Sequence, residues 1–146
     1  MNENNIVSAT TRFLRHRDPM AEYLDKATVL LGVATERLAA GDCEGSLEAG
    51  YQAALRTAGA RVAAATGPVR SARGRPQGSV WERLRKLDPC GAAQAEQFAA
   101  CSRLRSRVIM GLPVDITPEQ VRALLVDVDD FIGWVEEDNR ELPAAA

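Results

Sequence analysis

Histidine is nearly missing from this 146-residue chain: there is one, His16, and it lies in the polar segment before the first regular pattern. Cysteine is scarce too, with Cys43, Cys90 and Cys101 forming an odd set that contains no CxxC spacing. A tetrahedral zinc centre needs four closely arranged nitrogen, sulfur or oxygen ligands, so these residues point to no metal centre and are read as reduced thiols. Aromatic residues make up only 5% of the chain, which disfavours a thick sandwich core. No run of about 18 apolar residues suggests a membrane span, and the polar, charged opening residues do not resemble a secretory leader. Glycine-rich phosphate cradles of the GxxxxGK[ST] or GxGxxG type do not occur, so no nucleotide cofactor is expected. These absences together lead to a cytoplasmic protein without metal or cofactor.

What is present is alanine and helical periodicity. Hydrophobic residues are 46% of the chain, and many are alanine, the best helix former. Residues 1–17 carry no sustained period and are expected to form a flexible arm. Asp18-Pro19 then combines an N-cap with a proline suited to the first helical position. Met20, Tyr23, Leu24, Ala27, Leu30, Leu31, Ala34 and Leu38 follow at three- and four-residue steps, ending at Gly41. A second helix is expected from near Ser46, with Leu47, Tyr51, Ala54, Leu55, Ala58, Val62 and Ala65 on one stripe and Gly67-Pro68 as its stop. After a basic loop, Ser79-Val-Trp-Glu reads as a capping box opening a short helix that ends before Pro89. A fourth helix is expected over Ala92 to Met110, with Ala95, Phe98, Cys101, Leu104 and Val108 inward. Thr117-Pro-Glu-Gln opens the last, whose stripe of Val121, Leu124, Leu125, Val128, Phe131, Ile132 and Val135 is the strongest in the chain.

No segment alternates convincingly enough to be a strand. The expected fold is therefore all-α, an up-and-down bundle of four long helices plus one short one, in a single domain over 18–139 with a flexible tail at 140–146.

The formal net charge of −2 conceals a division. From Arg70 to Arg107 there are nine basic residues against three acidic; from Asp115 to Glu141 there are nine acidic against two basic. Such asymmetry can mark a partner surface. The candidate contact residues are Arg70, Arg73 and Arg75 in the loop, Arg83, Arg85 and Lys86 on the short helix, and Arg103 and Arg107 on the fourth. Successive helical residues are about 100° apart, so Arg103 and Arg107 share a face while Arg105 turns away toward the bundle. The competing reading is a solvated basic face paired with the acidic last helix. Asp127, Asp129 and Asp130 suggest magnesium, but charged residues opposite an apolar stripe are ordinary. Trp81 and Trp134 are read as inter-helix packing, with partner-contact anchors as the alternative.

Three segments carry a resemblance. Tyr51-Gln-Ala-Ala-Leu-Arg-Thr-Ala-Gly-Ala-Arg-Val-Ala-Ala-Ala, Ser79-Val-Trp-Glu-Arg-Leu and Phe98-Ala-Ala-Cys-Ser-Arg-Leu-Arg-Ser-Arg resemble, in order and spacing, small actinobacterial proteins of the HEPN superfamily over roughly Ala27 to Asp138. The resemblance implies a four-to-five-helix bundle that often dimerises and, in many members, a metal-independent ribonuclease. Those enzymes place a histidine after an arginine and a short spacer near a helix end. Imidazole moves a proton at neutral pH while guanidinium holds the phosphate. Here the positions after Arg103, Arg105 and Arg107 hold Val, Ile, Met, Gly, Leu, Pro and Val, and Arg12–His16 lies outside the expected bundle. No catalytic residue carries over. The expectation is a non-catalytic HEPN-like interaction module, forming a homodimer and binding a protein partner. RNA or DNA binding through the basic surface is the second reading, and a divergent ribonuclease or a nucleotidyltransferase partner the third.

Overall fold

A computed structural model describes residues 18–66 and 78–141 as five helices, with no strand among the described residues. They are α1 (Pro19–Ala39), α2 (Cys43–Thr66), α3 (Val80–Arg85), α4 (Pro89–Ile109) and α5 (Pro118–Glu141). The expected arm, the basic loop with Arg70, Arg73 and Arg75, and the last five residues lie outside the described residues.

Helix ends follow local chemistry closely. Asp18 accepts the Met20 N–H at 3.1 Å, with Pro19 at the first helical position. At the far end of α1, Gly41 has φ +83, its N–H reaches Leu38 O, and the next N–H, of Asp42, reaches Arg37 O. This paired closure needs a left-handed residue that glycine adopts at low cost. Asp42 then opens α2, its Oδ1 accepting the Gly45 N–H at 2.8 Å. One aspartate thus joins two helices in a tight corner, and α2 begins three residues before the expected Ser46. The same correction applies to α4. Asp88 caps Gly91 N at 2.6 Å and Pro89 takes the first turn, so the helix starts at Pro89, not at Ala92. Proline, read from sequence only as the stop of α3, is also the start of α4. Thr117 and Gln120 cap each other reciprocally at 3.2 and 3.0 Å to open α5.

α2 is the central element and the one helix that packs against all four others. Its single expected stripe is too narrow: Ser46, Ala49, Gly50, Ala53, Thr57, Ala60 and Arg61 are buried beside Leu47, Tyr51, Ala54, Ala58 and Val62. Small side chains on several sides let neighbouring backbones come close. A Cβ on Gly50 would sit 2.8 Å from Leu125 Cδ2, so glycine there sets the approach of α5. Both buried hydroxyls are satisfied, Ser46 Oγ donating to Ala34 O of α1 at 2.7 Å and Thr57 Oγ1 to Ala53 O at 2.8 Å. All seven residues of the expected α5 stripe are buried.

The opposite side of α2 is closed by an aromatic file. Tyr51, Trp81, Phe98 and Phe131 follow one another at centroid separations of 6.2, 5.6 and 5.4 Å, linking α2, α3, α4 and α5. Such contacts add about 0.5–1.5 kcal/mol each beyond buried area. They explain how the six-residue α3 holds its place, together with Leu84, which is fully buried. α4 is the outer helix. Ala95 and Phe98 are buried, but Cys101, Leu104 and Val108 are only half-buried, because the backbones of α4 and α5 scarcely approach each other.

Candidate interaction site

The second half of α4 separates its three arginines by rotation. Arg105 turns inward, donating from Nε to Glu48 Oε2 at 2.6 Å and from Nη2 to Glu48 Oε1 at 3.0 Å. Its guanidinium also lies 4.9 Å from the centre of the Tyr51 ring. The two parallel bonds hold the Glu48 carboxyl below the usual range and raise Arg105 in turn. Tyr51 Oη accepts from Trp81 Nε1 at 3.0 Å and shares a hydrogen bond with Ser102 Oγ. Beside this cluster, burial and the Glu48 charge push the Cys101 thiol up to about 12. A thiol so placed is a packing residue, not a nucleophile.

Arg103 and Arg107 remain on the outer face, both exposed, with Arg107 Nη2 bonded to Pro113 O at 3.0 Å. Arg85 reaches Glu96 at 3.8 Å between two exposed side chains, a pair of little energetic weight. Glu96 lies seven residues before Arg103, about 10 Å along the helix. The basic residues of α3 and those of α4 are therefore neighbouring patches, not one cluster. Arg83 is half-buried and Lys86 exposed, and neither they nor Arg103 form an ion pair among the described residues.

Among the described residues the expected pairing of the basic face with the acidic last helix is not seen. Among the described residues no salt bridge reaches α5; the arginines pair instead with Asp42, Glu48, Asp88 and Glu96. Separation explains it, since α4 and α5 meet chiefly through the Phe98–Phe131 stack. The three aspartates also divide. Asp127 lines a groove between α4 and α5, while Asp129 and Asp130 line another between α1 and α5. Among the described residues, no three His, Cys, Asp or Glu side chains are grouped to hold a metal.

The α4–α5 groove has a volume of about 240 Å³ and an apolar floor of Leu47, Leu104, Ile116, Val121 and Leu124. At the end of α4 and just past it the chain exposes Ile109 (62%), Met110 (69%) and Leu112 (40%). The α1–α5 groove is larger, about 540 Å³, and acidic.

One charged residue escaped the sequence reading. Arg61, in the middle of α2, is 7% exposed. Its Nη2 bonds Asp88 Oδ2 at 2.5 Å, and its guanidinium lies 4.8 Å from the Trp134 ring centre. Nη1 is buried without a partner in the protein, as is Gln94 Oε1 one turn into α4. Asp88 is held below the ordinary carboxylate range first by Arg61 and then by the Gly91 N–H. The pair ties α2, α5 and the start of α4 together. A flanking run of alanines on a buried stripe was the available signal. Trp134 is thus half-buried against Arg61, and Trp81 half-buried in the aromatic file.

An all-α bundle with a central small-residue helix and a short third helix is a HEPN-like architecture. The SAV_6107-like HEPN family model matches residues 32–136, and the chain belongs to that family. No curated protein and no solved structure matches the chain. No histidine occurs among the described residues.

Proposed function

We propose that this chain is a non-catalytic HEPN-like module that forms a homodimer and binds a protein partner through its helix faces. The observation that carries the reading is the apolar end of α4. Ile109, Met110 and Leu112 stand exposed at the end of α4, whose earlier turns line a groove with an apolar floor, and exposed apolar surface on a small domain marks interaction sites. The lack of any histidine in the sequence at a short spacing after Arg103, Arg105 or Arg107 supports the non-catalytic part, since guanidinium does not release a proton at neutral pH. Light scattering coupled to size exclusion, over a dilution series, tests the dimer. A dimer that becomes monomeric in the Met110→Glu/Leu112→Glu variant is the expected result. A monomer at high micromolar concentration, or a dimer indifferent to both substitutions, refutes it.

A second reading is RNA or DNA binding. Its support is that Arg83, Lys86 and Arg103 carry charges unused by ion pairs among the described residues. The other residues of this reading are Arg85 and Arg107, with Arg70, Arg73 and Arg75 outside the described part. Phosphate contacts release counterions, so anisotropy of labelled RNA and single-stranded DNA should fall steeply between about 20 and 300 mM salt. Charge reversal at Arg103 and Arg107 should weaken that binding, and a gel of the same RNA reports any cleavage. No binding at the lowest salt removes this reading.

A further inference from the structure

We propose that the groove between α1 and α5 is a docking site for an arginine- or lysine-bearing amphipathic helix of a protein partner. Leu31 and Trp134, both half-buried, supply apolar surface in the groove, and Asp129, Asp130, Glu136 and Glu137 stand exposed along it. From Asp129 to Glu137 there is no basic residue, and Arg122 and Arg140 lie outside that stretch on either side. None of these four carboxylates forms an ion pair among the described residues. Four like charges on two turns repel one another, a cost that nothing in the described fold offsets.

The chain's own packing also leaves the groove's backbone bare. Gly133 lies in the groove midway along α5, and nothing stands within 4 Å of the position a Cβ would take. Gly32 on α1, four residues after the groove residue Thr28 and so on the same face, is equally open. Glycine inside a helix weakens it relative to alanine, so these positions are not explained by intrachain packing. Both leave helix backbone accessible for close approach, and Val29 and Val126 add exposed apolar surface on the flanking turns.

The occupant follows from charge and length. Residues 129–137 span about 12 Å of helix, which matches cationic side chains at i, i+3, i+4 and i+7 of a partner helix laid along the groove. An apolar stripe on that helix would meet Leu31. Nucleic acid is repelled by the same carboxylates.

The probe is a fluorescein-labelled amphipathic peptide of alanine, leucine and arginine with that spacing, and a glutamate counterpart, titrated with the full chain at low salt. The arginine peptide should bind and the glutamate peptide should not. Binding should weaken at least about tenfold in the Asp129→Asn/Asp130→Asn/Glu137→Gln variant and in Gly133→Leu, which fills the groove without changing charge. A variant with equal charge change elsewhere, Glu44→Gln/Glu82→Gln/Glu119→Gln, should stay within about twofold of the unaltered chain. Circular dichroism melts confirm that each variant is folded. Equal losses in the two charge variants, retention of binding in Gly133→Leu, or no binding by the unaltered chain would each overturn the proposal. So would a change in the chain's own oligomeric state in the Asp129 variant, which would make the occupant a second copy. The proposal stands apart from the α4 surface, because Met110→Glu/Leu112→Glu leaves this groove untouched.

Discussion

Breaking the Arg61–Asp88 pair from its two ends should have unequal consequences. Arg61 is 8% exposed at its side chain and Asp88 43%. Asp88→Asn keeps an N-capping oxygen for Gly91 but removes the charge, stranding a buried guanidinium whose Nη1 already lacks a partner. Loss of one partner from a fully buried pair costs about 3–5 kcal/mol; water reaches Asp88, so about 2–3 kcal/mol is expected. Arg61→Met removes the buried cation and leaves a capping carboxylate exposed to solvent. Its cost, chiefly the lost stacking on Trp134, should be about 1 kcal/mol. In the Arg61→Met background, Asp88→Asn should then cost less than about 0.5 kcal/mol, a coupling of about 2 kcal/mol. Urea titrations followed by circular dichroism give all four stabilities. Equal costs from both ends, or a coupling below about 0.5 kcal/mol, would refute the reasoning. The pH dependence has a definite sign. Asp88 titrates lower folded than unfolded, so its contribution is present above the unfolded value of about 3.9 and disappears as pH falls through the folded one. The stability difference between the unaltered chain and Asp88→Asn should therefore shrink below about pH 4.

Further outcomes follow from the same geometry. Gly91→Ala should lower the melting temperature by about 5–10 °C, since the added Cβ would lie 2.2 Å from the Leu84 carbonyl oxygen and 2.6 Å from Arg61 Nη1. An unchanged melt would show that the α3–α4 corner yields more readily than its backbone contact implies. Gly133→Ala, at an open helical position, should instead stabilise the fold by about 0.5–1 kcal/mol in urea titrations. Exposed Cys90 should react first with a thiol reagent at pH 8, and Cys101, raised to about 12, only on unfolding. Persistence of the fast phase in Cys90→Ser would contradict this assignment.

The sequence was most legible where one residue does one job. The α5 stripe reads true at all seven positions because the opposite side of that helix is polar and the period is unambiguous. The rotation of Arg105 away from Arg103 and Arg107 follows from helix geometry alone. Reading fails where a residue serves two elements. Asp42 closes one helix and opens the next, and Asp88-Pro89 ends α3 while starting α4, so both starts were placed three residues late. It fails again on α2, where alanine on every side hides how many faces are buried. There Arg61 resembled one more solvated arginine, and its partner lies 27 residues away.

The charge division was visible in the sequence, but its meaning was not, because pairing depends on which helices touch. Of the arginines of α4, Arg105 pairs with α2 and Arg107 with the Pro113 carbonyl, and the acidic side of α5 forms no salt bridge among the described residues. The buried stripe of α5 is fully accounted for by the core, whereas its other side carries unneutralised carboxylates and an uncovered glycine. Folding alone would favour neutralising those charges and replacing that glycine, and the proposed docking of a cationic helix would give both a role.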